Sequence, residues 1–256
     1  MKKIISYNVN GLRAALKKDL IGWLASTQAD VFCMQEIKAE SHQVEEHLFE
    51  QAGYHCYWHS AEKKGYSGVA ILTKQKPDHL EIGCGIEKYD REGRFIRADF
   101  GDLSILNVYI PSGSSGEERQ AFKMVFLDDF QKYIQKLKKA RPKLIVVGDY
   151  NICHQPIDIH NPVSNKNSSG FLPEERAWLG HFIHSGFVDS FRYFNKEPNQ
   201  YTWWTYRFGA RGKNLGWRID YQMLTENLIE NLETASILAT AIHSDHCPIS
   251  IELNHF

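Results

Sequence analysis

The sequence predicts an α/β protein, because two kinds of repeating pattern share its 256 residues. Apolar runs of strand length recur along the whole chain, and several are rich in Val, Ile and Tyr. Amphipathic helical patterns lie between some of these runs. Since the predicted strands outnumber the helices, we expect a sandwich of sheets that is covered by helices.

Eight segments are predicted to be strands because they are short, apolar and rich in β-branched or aromatic residues. In chain order they are KKIISYNV, ADVFCMQE, SGVAILTK, RFIRADF, LSILNVYIP, KLIVVGDYN, WRIDYQML and CPISIEL. Sheets are therefore expected to form most of the framework.

Four segments predict helices, at residues 11–26, 41–52, 117–139 and 173–185. The third is the clearest, because its apolar side chains recur at spacings of 4, 4, 3 and 4 and form one buried stripe. These side chains are Phe122, Phe126, Phe130, Tyr133 and Leu137. The fourth begins with Pro173 and two acidic residues, which suit the first turn of a helix.

The composition is that of an ordinary globular protein, with 43% hydrophobic and 24% charged residues. The formal net charge of −1 neither predicts nor excludes binding to nucleic acid, so local charge must decide. The five cysteines are scattered and form no CxxC pair, which indicates reduced thiols.

No segment approaches the ~20 apolar residues of a membrane span, and the first residues lack a long apolar run. We expect a cytoplasmic protein.

Polar side chains stand at the ends of several predicted strands. Asn8 ends the first, Glu36 ends the second, Tyr109 lies near the end of the fifth, and Asp149 and Asn151 end the sixth. Strand ends of α/β folds are where ligand sites collect. One polar residue there can simply mark where burial stops, but a set that includes acids and amides indicates a functional site.

The available acids and amides favour a hard cation. Besides Glu36 and Asp149, the chain offers Asp220 in GWRIDY and Asp245 in SDHCP. Mg²⁺ prefers oxygen ligands, often needs only one or two carboxylates, and commonly accompanies phosphate. The histidines lack the usual spacing of zinc ligands. A zinc site remains an alternative, with the ligands His243, Asp245, His246 and Cys247.

Eleven motifs follow one another along almost the full length of the chain. They are YNVNGLRA, MQEIK, GYSGVAIL, EGRFI, NVYIPSG, VVGDYNI, DIHNP, GFLPEER, YTWWTYR, GWRIDY and SDHCPI. In this order they resemble the exonuclease III / AP endonuclease branch of the endonuclease/exonuclease/phosphatase superfamily. One such motif would be weak, whereas eleven in sequence are highly specific.

The resemblance implies one catalytic domain over residues 1–256, folded as a four-layer αββα sandwich of two packed mixed sheets flanked by helices. It implies Mg²⁺-dependent hydrolysis of DNA phosphodiesters 5′ of abasic sites, with Mn²⁺ as a substitute cation. It further implies 3′–5′ exonuclease or 3′-end-cleaning activity within base excision repair. The implied partner is double-stranded DNA with abasic sites or 3′ ends, bound by a monomer.

The resemblance also implies roles at the cation. Glu36 and Asn8 would be the metal-proximal pair, while Asp149, steadied by Asn151, would activate or orient the attacking water. The implied metal ligands are Asn8, Glu36, Asp149, Asn151 and Asp245. Such groups suit the chemistry, because water is a poor nucleophile at neutral pH and a carboxylate must take or direct its proton.

Further catalytic roles follow from the same resemblance. Tyr109 and His246 would contact the scissile phosphate, whose oxygens need hydrogen-bond donors as charge develops on them. Asp245 would orient His246, although the two are adjacent in sequence and the chain must bend to let them meet. Asp220 would be an acid on the side of the leaving group.

Substrate contacts are implied for five other residues. Trp203, Leu215 and Trp217 match an apolar pocket for a flipped abasic sugar, and Arg207 stands where relatives insert a side chain into DNA. Asn165 is retained as a substrate contact. Trp204 is interpreted as a core residue, because aromatic residues in α/β proteins are usually buried.

Three positions depart from the family pattern: Asn10 stands where part of the family has aspartate, Ser112 where an amide is common, and Ser168 where asparagine occurs.

Basic residues that would hold phosphates cluster in three segments. They are Lys63, Lys64, Lys74, Lys76, Arg207, Arg211, Lys213 and Arg218.

Two other functions remain open. A sphingomyelinase-like or inositol-phosphatase-like enzyme would share the acids, the amides and the Asp-His element, but GWRIDY, YTWW and the basic residues favour DNA. A non-catalytic nucleic-acid binder would lack a catalytic group, and none is missing here.

Overall fold

The structure is a computed structural model that describes residues 2–254. Within this range the chain forms two six-stranded sheets. The strands are β1 (Lys2–Asn8), β2 (Val31–Gln35), β3 (His55–His59), β4 (Val69–Thr73), β5 (His79–Ile82), β6 (Phe95–Phe100), β7 (Leu103–Tyr109), β8 (Lys143–Asp149), β9 (Phe187–Asp189), β10 (Asp220–Thr225), β11 (Leu232–Ile237) and β12 (Ile249–Leu253). The α-helices are α1 (Leu12–Leu16), α2 (Leu20–Thr27), α3 (Glu46–Gln51), α4 (Glu87–Asp90), α5 (Glu117–Ala140), α6 (Pro173–His184) and α7 (Ser190–Phe194).

Both sheets are mixed. The first has the strand order β11-β12-β1-β2-β4-β3, and the second has the order β5-β6-β7-β8-β10-β9. Only the pairs β1–β2 and β7–β8 are parallel among the described pairings. The predicted fold class, two packed mixed sheets flanked by helices, is confirmed.

The alternation of side chains along the inner strands produces the four layers. Ile4, Ile105 and Ile145 belong to a buried cluster that draws on both sheets. The next residue along β1, Ile5, packs instead with Leu24 in the cluster beneath α1, α2 and α3. Because neighbouring residues of a strand point to opposite faces, each central strand serves two apolar layers. A third cluster covers the outer face of the second sheet with α5 and α6.

All eight predicted strands form. The four strands that the sequence did not reveal are β3, β5, β9 and β11, and each is an edge strand of its sheet. Edge strands are partly exposed and carry few apolar residues, as the half-buried or exposed side chains of β3 and β5 show.

Two helices agree closely with prediction and two are broken. Residues 117–139 and 173–185 correspond to α5 and α6. The predicted helix 11–26 is divided into α1 and α2, because Asp19 adopts a left-handed conformation (φ 62°) and its side chain accepts a hydrogen bond from the Gly22 amide. The predicted helix 41–52 is a 3₁₀ turn followed by α3.

The strand directions bring the polar ends together. The carboxyl ends of the parallel pair β1 and β2 meet at one edge of the first sheet, and those of β7 and β8 meet at one edge of the second. Since β10 runs antiparallel to β8, its first residue, Asp220, stands directly opposite Asp149. The start of β12 lies beside the end of β1 for the same reason.

Gly148 is required for this close approach. Its φ is +147°, and a Cβ atom there would lie 1.8 Å from the carbonyl oxygen of Val108 on β7. Only glycine allows the two parallel strands to pair at this point, one residue before Asp149.

Within residues 2–254, no helix is both long enough and apolar enough to cross a membrane.

Candidate active site

Asp149 lies at the centre of a hydrogen-bonded group at the end of β8. Its carboxylate accepts from the Asn8 amide (Nδ2–Oδ2 2.8 Å), from the Asn151 backbone amide (N–Oδ1 2.8 Å) and from the Asn151 side chain (Nδ2–Oδ2 3.2 Å). Only 1% of Asp149 is exposed. The predicted support of Asp149 by Asn151 is therefore present in the structure.

Glu36 faces Asp149 from the other sheet. It follows β2 in a left-handed conformation (φ 51°), which is uncommon for a residue with a side chain and is a feature of functional sites. Its carboxylate accepts from Asn8 (Nδ2–Oε1 3.0 Å) and forms an ion pair with Lys38 (Nζ–Oε2 2.7 Å). The hydroxyl of Tyr109 also interacts with Glu36.

Asn8 connects the two acids through its side-chain amide. Its Nδ2 group donates to both Glu36 and Asp149, whereas its Oδ1 accepts from the Asn10 backbone amide at 2.9 Å. The side-chain oxygen is thereby turned away from the carboxylates. Asn8 therefore acts as a hydrogen-bond donor that joins the two acids, and its role as a metal ligand stays a prediction.

His246 is oriented by Asp220, and the prediction that Asp245 does so is wrong. The Nδ1 atom of His246 lies 2.9 Å from the Asp220 Oδ2, while its Nε2 lies 3.9 Å from the Asp149 Oδ2. Thr202 donates to the same Asp220 oxygen at 2.6 Å and fixes the carboxylate. Asp220 therefore orients the histidine, and its role as an acid near the leaving group stays a prediction.

Asp245 takes part in a different network. Its carboxylate accepts from Asn10 (Nδ2–Oδ1 2.9 Å) and Trp203 (Nε1–Oδ2 3.0 Å), and from the Ser244 hydroxyl. The side chains of Asp245 and His246 point in different directions in this bend. Their adjacency in the sequence therefore predicted the wrong partner for His246. Asp245 instead connects Asn10 to the aromatic wall of the site.

One group of side chains within residues 2–254 has the arrangement needed to hold a metal ion. Ligand atoms of Glu36, Asp149 and His246 lie within 4.8 Å of one another. The zinc alternative is not supported, because Cys247 is directed at the Tyr201 carbonyl and His243 packs against Tyr7 and Trp23. Two carboxylates at the centre of the group make a divalent cation with a preference for oxygen a fitting occupant.

Burial and neighbouring charges shift the protonation of these groups. Burial and the nearby carboxylates of Asp220 and Glu36 together raise the pKa of Asp149 to about 8, against the opposing effect of His246. Burial alone would lower the pKa of His246, but Asp220, Asp149 and Asp245 outweigh it and raise that pKa to about 10. The site therefore concentrates negative charge, and a cation beside Asp149 would favour its ionised form.

These residues adjoin an open cavity of about 630 Å³. Glu36, Tyr109 and His246 line one part of it, and the indole rings of Trp203 and Trp217 line another. The two rings meet edge to face at 5.9 Å. A polar, acidic region thus lies next to an apolar one within a single cavity.

The structure separates the other predicted substrate residues from this cavity. Leu215 is 40% exposed and lines a different cavity with His160 and Lys213, so it does not share a pocket with Trp203 and Trp217. Asn165 donates to the carbonyls of His160 and Asn161 within its own turn. Arg207 is exposed and lies outside the cavity lining, while Trp204 is buried as predicted.

Two of the predicted phosphate-binding arginines are structural. Arg218 is buried and forms ion pairs with Asp158 and Asp189, and Arg211 donates to the carbonyls of Ala239, Ala241 and Ser244. Two acids balance the charge of the buried Arg218, whereas the guanidinium of the partly buried Arg211 is held by backbone carbonyls. A separate groove of about 810 Å³ is lined by Arg13, Lys17 and Lys38, a basic set that sequence reasoning missed. Its signal was the spacing of four residues between Arg13 in α1 and Lys17 directly after it, which places both side chains on one side of this segment.

The departures from the family pattern lie at the site itself. Asn10 accepts from Lys38 (Nζ–Oδ1 2.6 Å) and donates to Asp245, so an amide there connects a cation to an acid. Ser112 and Ser168 both line the cavity. Short hydroxyls at these positions leave more open space than the longer amides that they replace.

Comparison with known proteins agrees with this geometry. The family model described as "Endonuclease/Exonuclease/phosphatase family" matches residues 5–246. An exodeoxyribonuclease of Bacillus subtilis is 43% identical over 98% of this chain and 99% of its own length. The DNA repair nuclease APEX1 of Danio rerio is 41% identical over 98% of this chain and 82% of its own length.

A solved structure of an AP endonuclease from Archaeoglobus fulgidus superimposes with a TM-score of 0.92 at 32% identity, covering 100% of both chains. Matches over this much of the chain, in sequence and in structure, leave no part of the sandwich or of the site outside the comparison. The chain belongs to the endonuclease/exonuclease/phosphatase family.

Proposed function

We propose that the protein is a divalent-cation-dependent hydrolase of DNA phosphodiesters that cleaves 5′ of abasic sites and also acts at 3′ ends. The observation that carries the proposal is the position of Asp149 between Asn8 and Asn151, with the His246–Asp220 pair beside it and two indole rings in the adjoining cavity. The names of the similar proteins, an exodeoxyribonuclease and an AP endonuclease among them, support the same reaction.

Asp149 directs the attacking water in this proposal. Its carboxylate is the only acid among the described residues that both Asn8 and Asn151 hold by side-chain amides. Three hydrogen bonds donated to it fix its orientation, and its neighbours Glu36, Asn151 and His246 line the cavity, so it would take or direct a proton of a water bound there. General base assistance of this kind typically contributes about 10²- to 10⁴-fold to a rate.

Glu36 and Asp149 would hold the cation, and Mg²⁺, with Mn²⁺ as a substitute, fits their oxygen ligands. When bound, the cation neutralises charge on the phosphate oxygens. Asn8 positions both carboxylates, and Lys38 balances the charge of Glu36. Asp245 bonds Asn10 and Trp203, and its role as a metal ligand stays a prediction.

His246 and Tyr109 provide the hydrogen-bond donors for the phosphate. The bond from Nδ1 to Asp220 leaves Nε2 directed toward Asp149 and the cavity. Against the effect of burial, the carboxylates of Asp220, Asp149 and Asp245 raise the pKa of His246 to about 10, which favours the ring that carries both protons. A buried, charged donor held by Asp220 and Thr202 stabilises a developing negative charge more strongly than a mobile surface residue would.

Trp203 and Trp217 would accept the sugar that lacks a base. An abasic nucleotide costs less to flip out of the duplex than an intact one, by on the order of a few kcal/mol. The groove lined by Arg13, Lys17 and Lys38 would hold neighbouring phosphates. Contacts from Asn165, Arg207 and Leu215 stay predictions, as do one catalytic domain over residues 1–256, a monomeric state and a cytoplasmic location.

The test uses two duplexes, one with a single abasic site and one undamaged with a recessed 3′ end, each incubated with and without Mg²⁺. We expect a nick 5′ of the abasic site and shortening of the recessed end, both dependent on the cation. Hydrolysis of sphingomyelin or inositol phosphates with no effect on either duplex would contradict the proposal and support the alternative substrate classes.

A further inference from the structure

Behind the site lies a buried ion pair between Lys123 on α5 and Glu175 on α6. Their side chains are both 0% exposed, and the Lys123 Nζ lies 2.6 Å from the Glu175 Oε1. Burying two charges normally costs several kcal/mol for each ion before their attraction is counted. Neither residue lines the cavity.

The pair reaches the site through two backbone segments. Lys123 also donates to the carbonyl oxygen of Asn151 at 2.8 Å, directly behind the side chain that supports Asp149. The second oxygen of Glu175 accepts from the amides of Gly170 (2.6 Å) and Leu172 (3.0 Å). One ion pair thus fixes the turn after β8 and the loop before α6.

The two segments are themselves in close contact. A Cβ atom on Gly170 would lie 3.0 Å from the Trp217 ring and 3.1 Å from the Asn151 carbonyl oxygen. Gly170 also accepts from the Cys153 amide at 2.7 Å. A displacement of either segment would therefore move both the support of Asp149 and the aromatic wall of the cavity.

We infer that Lys123 and Glu175 act as one positioning unit, which holds Asn151 against Asp149 and Gly170 against Trp217. The inference rests on the proposed function, since it assigns the pair to the placement of that site. It goes beyond stability, because a buried ion pair contributes little net stability compared with apolar residues of similar size. The pair is instead suited to fixing the positions of the two segments, because both side chains make additional hydrogen bonds to the backbone.

Three variants separate positioning from stability. Lys123→Met leaves Glu175 buried without its partner, and we expect it to lose both stability and activity. Lys123→Met combined with Glu175→Gln removes both charges, so it should regain most of the lost stability. The matched control is Arg97→Met, which breaks the largely buried ion pair with Asp99 on β6, outside the cavity.

The first readout is the steady-state kinetics on the abasic duplex, together with the free energy of unfolding by urea. We expect kcat to fall on the order of 10- to 100-fold in both Lys123 variants with KM changed less than about twofold, since small displacements of catalytic groups have effects of this size. The Arg97 variant should lose stability and keep its kcat. A kcat that recovers with stability in the double variant would overturn the inference.

The second readout does not depend on activity. Amide hydrogen exchange should accelerate at Asn151, Cys153 and Gly170 in the double variant and stay unchanged there in the Arg97 variant. Unchanged exchange at these amides in the double variant would overturn the positioning role. If the wild-type protein cleaved neither duplex, the proposed function would be wrong, while the exchange rates would still decide whether the pair positions these segments.

Discussion

At the scale of single residues, the sequence identified the chemical groups better than their partners. Asn8, Glu36, Tyr109, Asp149 and Asn151 come together as their positions at strand ends predicted. The partner of His246 was wrong because it is Asp220, which is 26 residues away. Asp220 begins β10 of the second sheet and His246 precedes β12 of the first, so no local pattern reveals their contact.

The pairing of His246 with Asp220 predicts how their mutations combine. Asp220→Asn and His246→Gln should each reduce kcat on the abasic duplex by on the order of 10²- to 10³-fold, the range for loss of one preorganised donor. The double variant should lose little more than the worse single variant, because residues that act as a unit are not additive. Single-turnover rates of the three variants provide the measurement.

Asp245→Asn is the control for this cycle. It should reduce the rate less than Asp220→Asn, and its effect should multiply with that of His246→Gln, because Asp245 bonds Asn10 and Trp203 instead. If Asp245, and not Asp220, proved non-additive with His246, the assignment from geometry would fail.

At the scale of elements, the sequence predicted inner strands and missed edge strands. Inner strands are buried on both faces and give continuous apolar runs, whereas the side chains of β3 and β5 are half-buried or exposed. The sequence also misjudged the role of a basic residue, because it does not show which side chains other elements bury. Arg218 lies in a segment that resembles a basic DNA contact, yet it is buried among acids from other elements.

The ion pairs of Asp158 with Arg218 and Arg192 predict that the stability of the folded protein depends on pH. Burial alone would raise the pKa of Asp158, but Arg218 and Arg192 outweigh it and lower that pKa below its usual value. A lowered pKa in the folded state contributes stability that is present above the unfolded value of about 3.9 and is lost as the pH falls through the folded value. Asp158→Asn should therefore cost about 3 to 5 kcal/mol at pH 7, typical of breaking a buried ion pair.

Urea unfolding of the wild type and the Asp158 variant, from pH 7 to pH 3, measures this effect. The difference in unfolding free energy should shrink below about pH 4. A difference that stays constant with pH would mean that the carboxylate of Asp158 gains nothing from the two arginines.

At the scale of the whole molecule, the site depends on the fixed position of one sheet against the other. Asn107 of β7 donates to the carbonyls of Met34 and Ala70 in the first sheet, both at 2.8 Å, and accepts from Gln35 at 2.7 Å. These bonds are buried between the layers and fix the first sheet against the second. Glu36 of one sheet thereby meets Asp149 of the other.

The groove lined by Arg13, Lys17 and Lys38 predicts that binding to DNA weakens with salt, although the net charge is −1. Each phosphate that the protein neutralises contributes about −0.9 to the slope of log affinity against log salt. Arg13→Gln with Lys17→Gln should make the slope less steep by about 2 units. Fluorescence anisotropy with a labelled duplex measures it, and an unchanged slope would show that the groove does not contact DNA.

The central claim is that Asp149 directs the water that cleaves DNA 5′ of an abasic site. The most direct test is the single-turnover rate of nicking by Asp149→Asn at saturating Mg²⁺, with Asp99→Asn as a buried-aspartate control from β6. We predict a loss of about 10²- to 10⁴-fold for the Asp149 variant, the contribution of a general base, and a rate near that of the wild type for the control. A folded Asp149 variant that nicks the abasic strand at the wild-type rate would contradict the account.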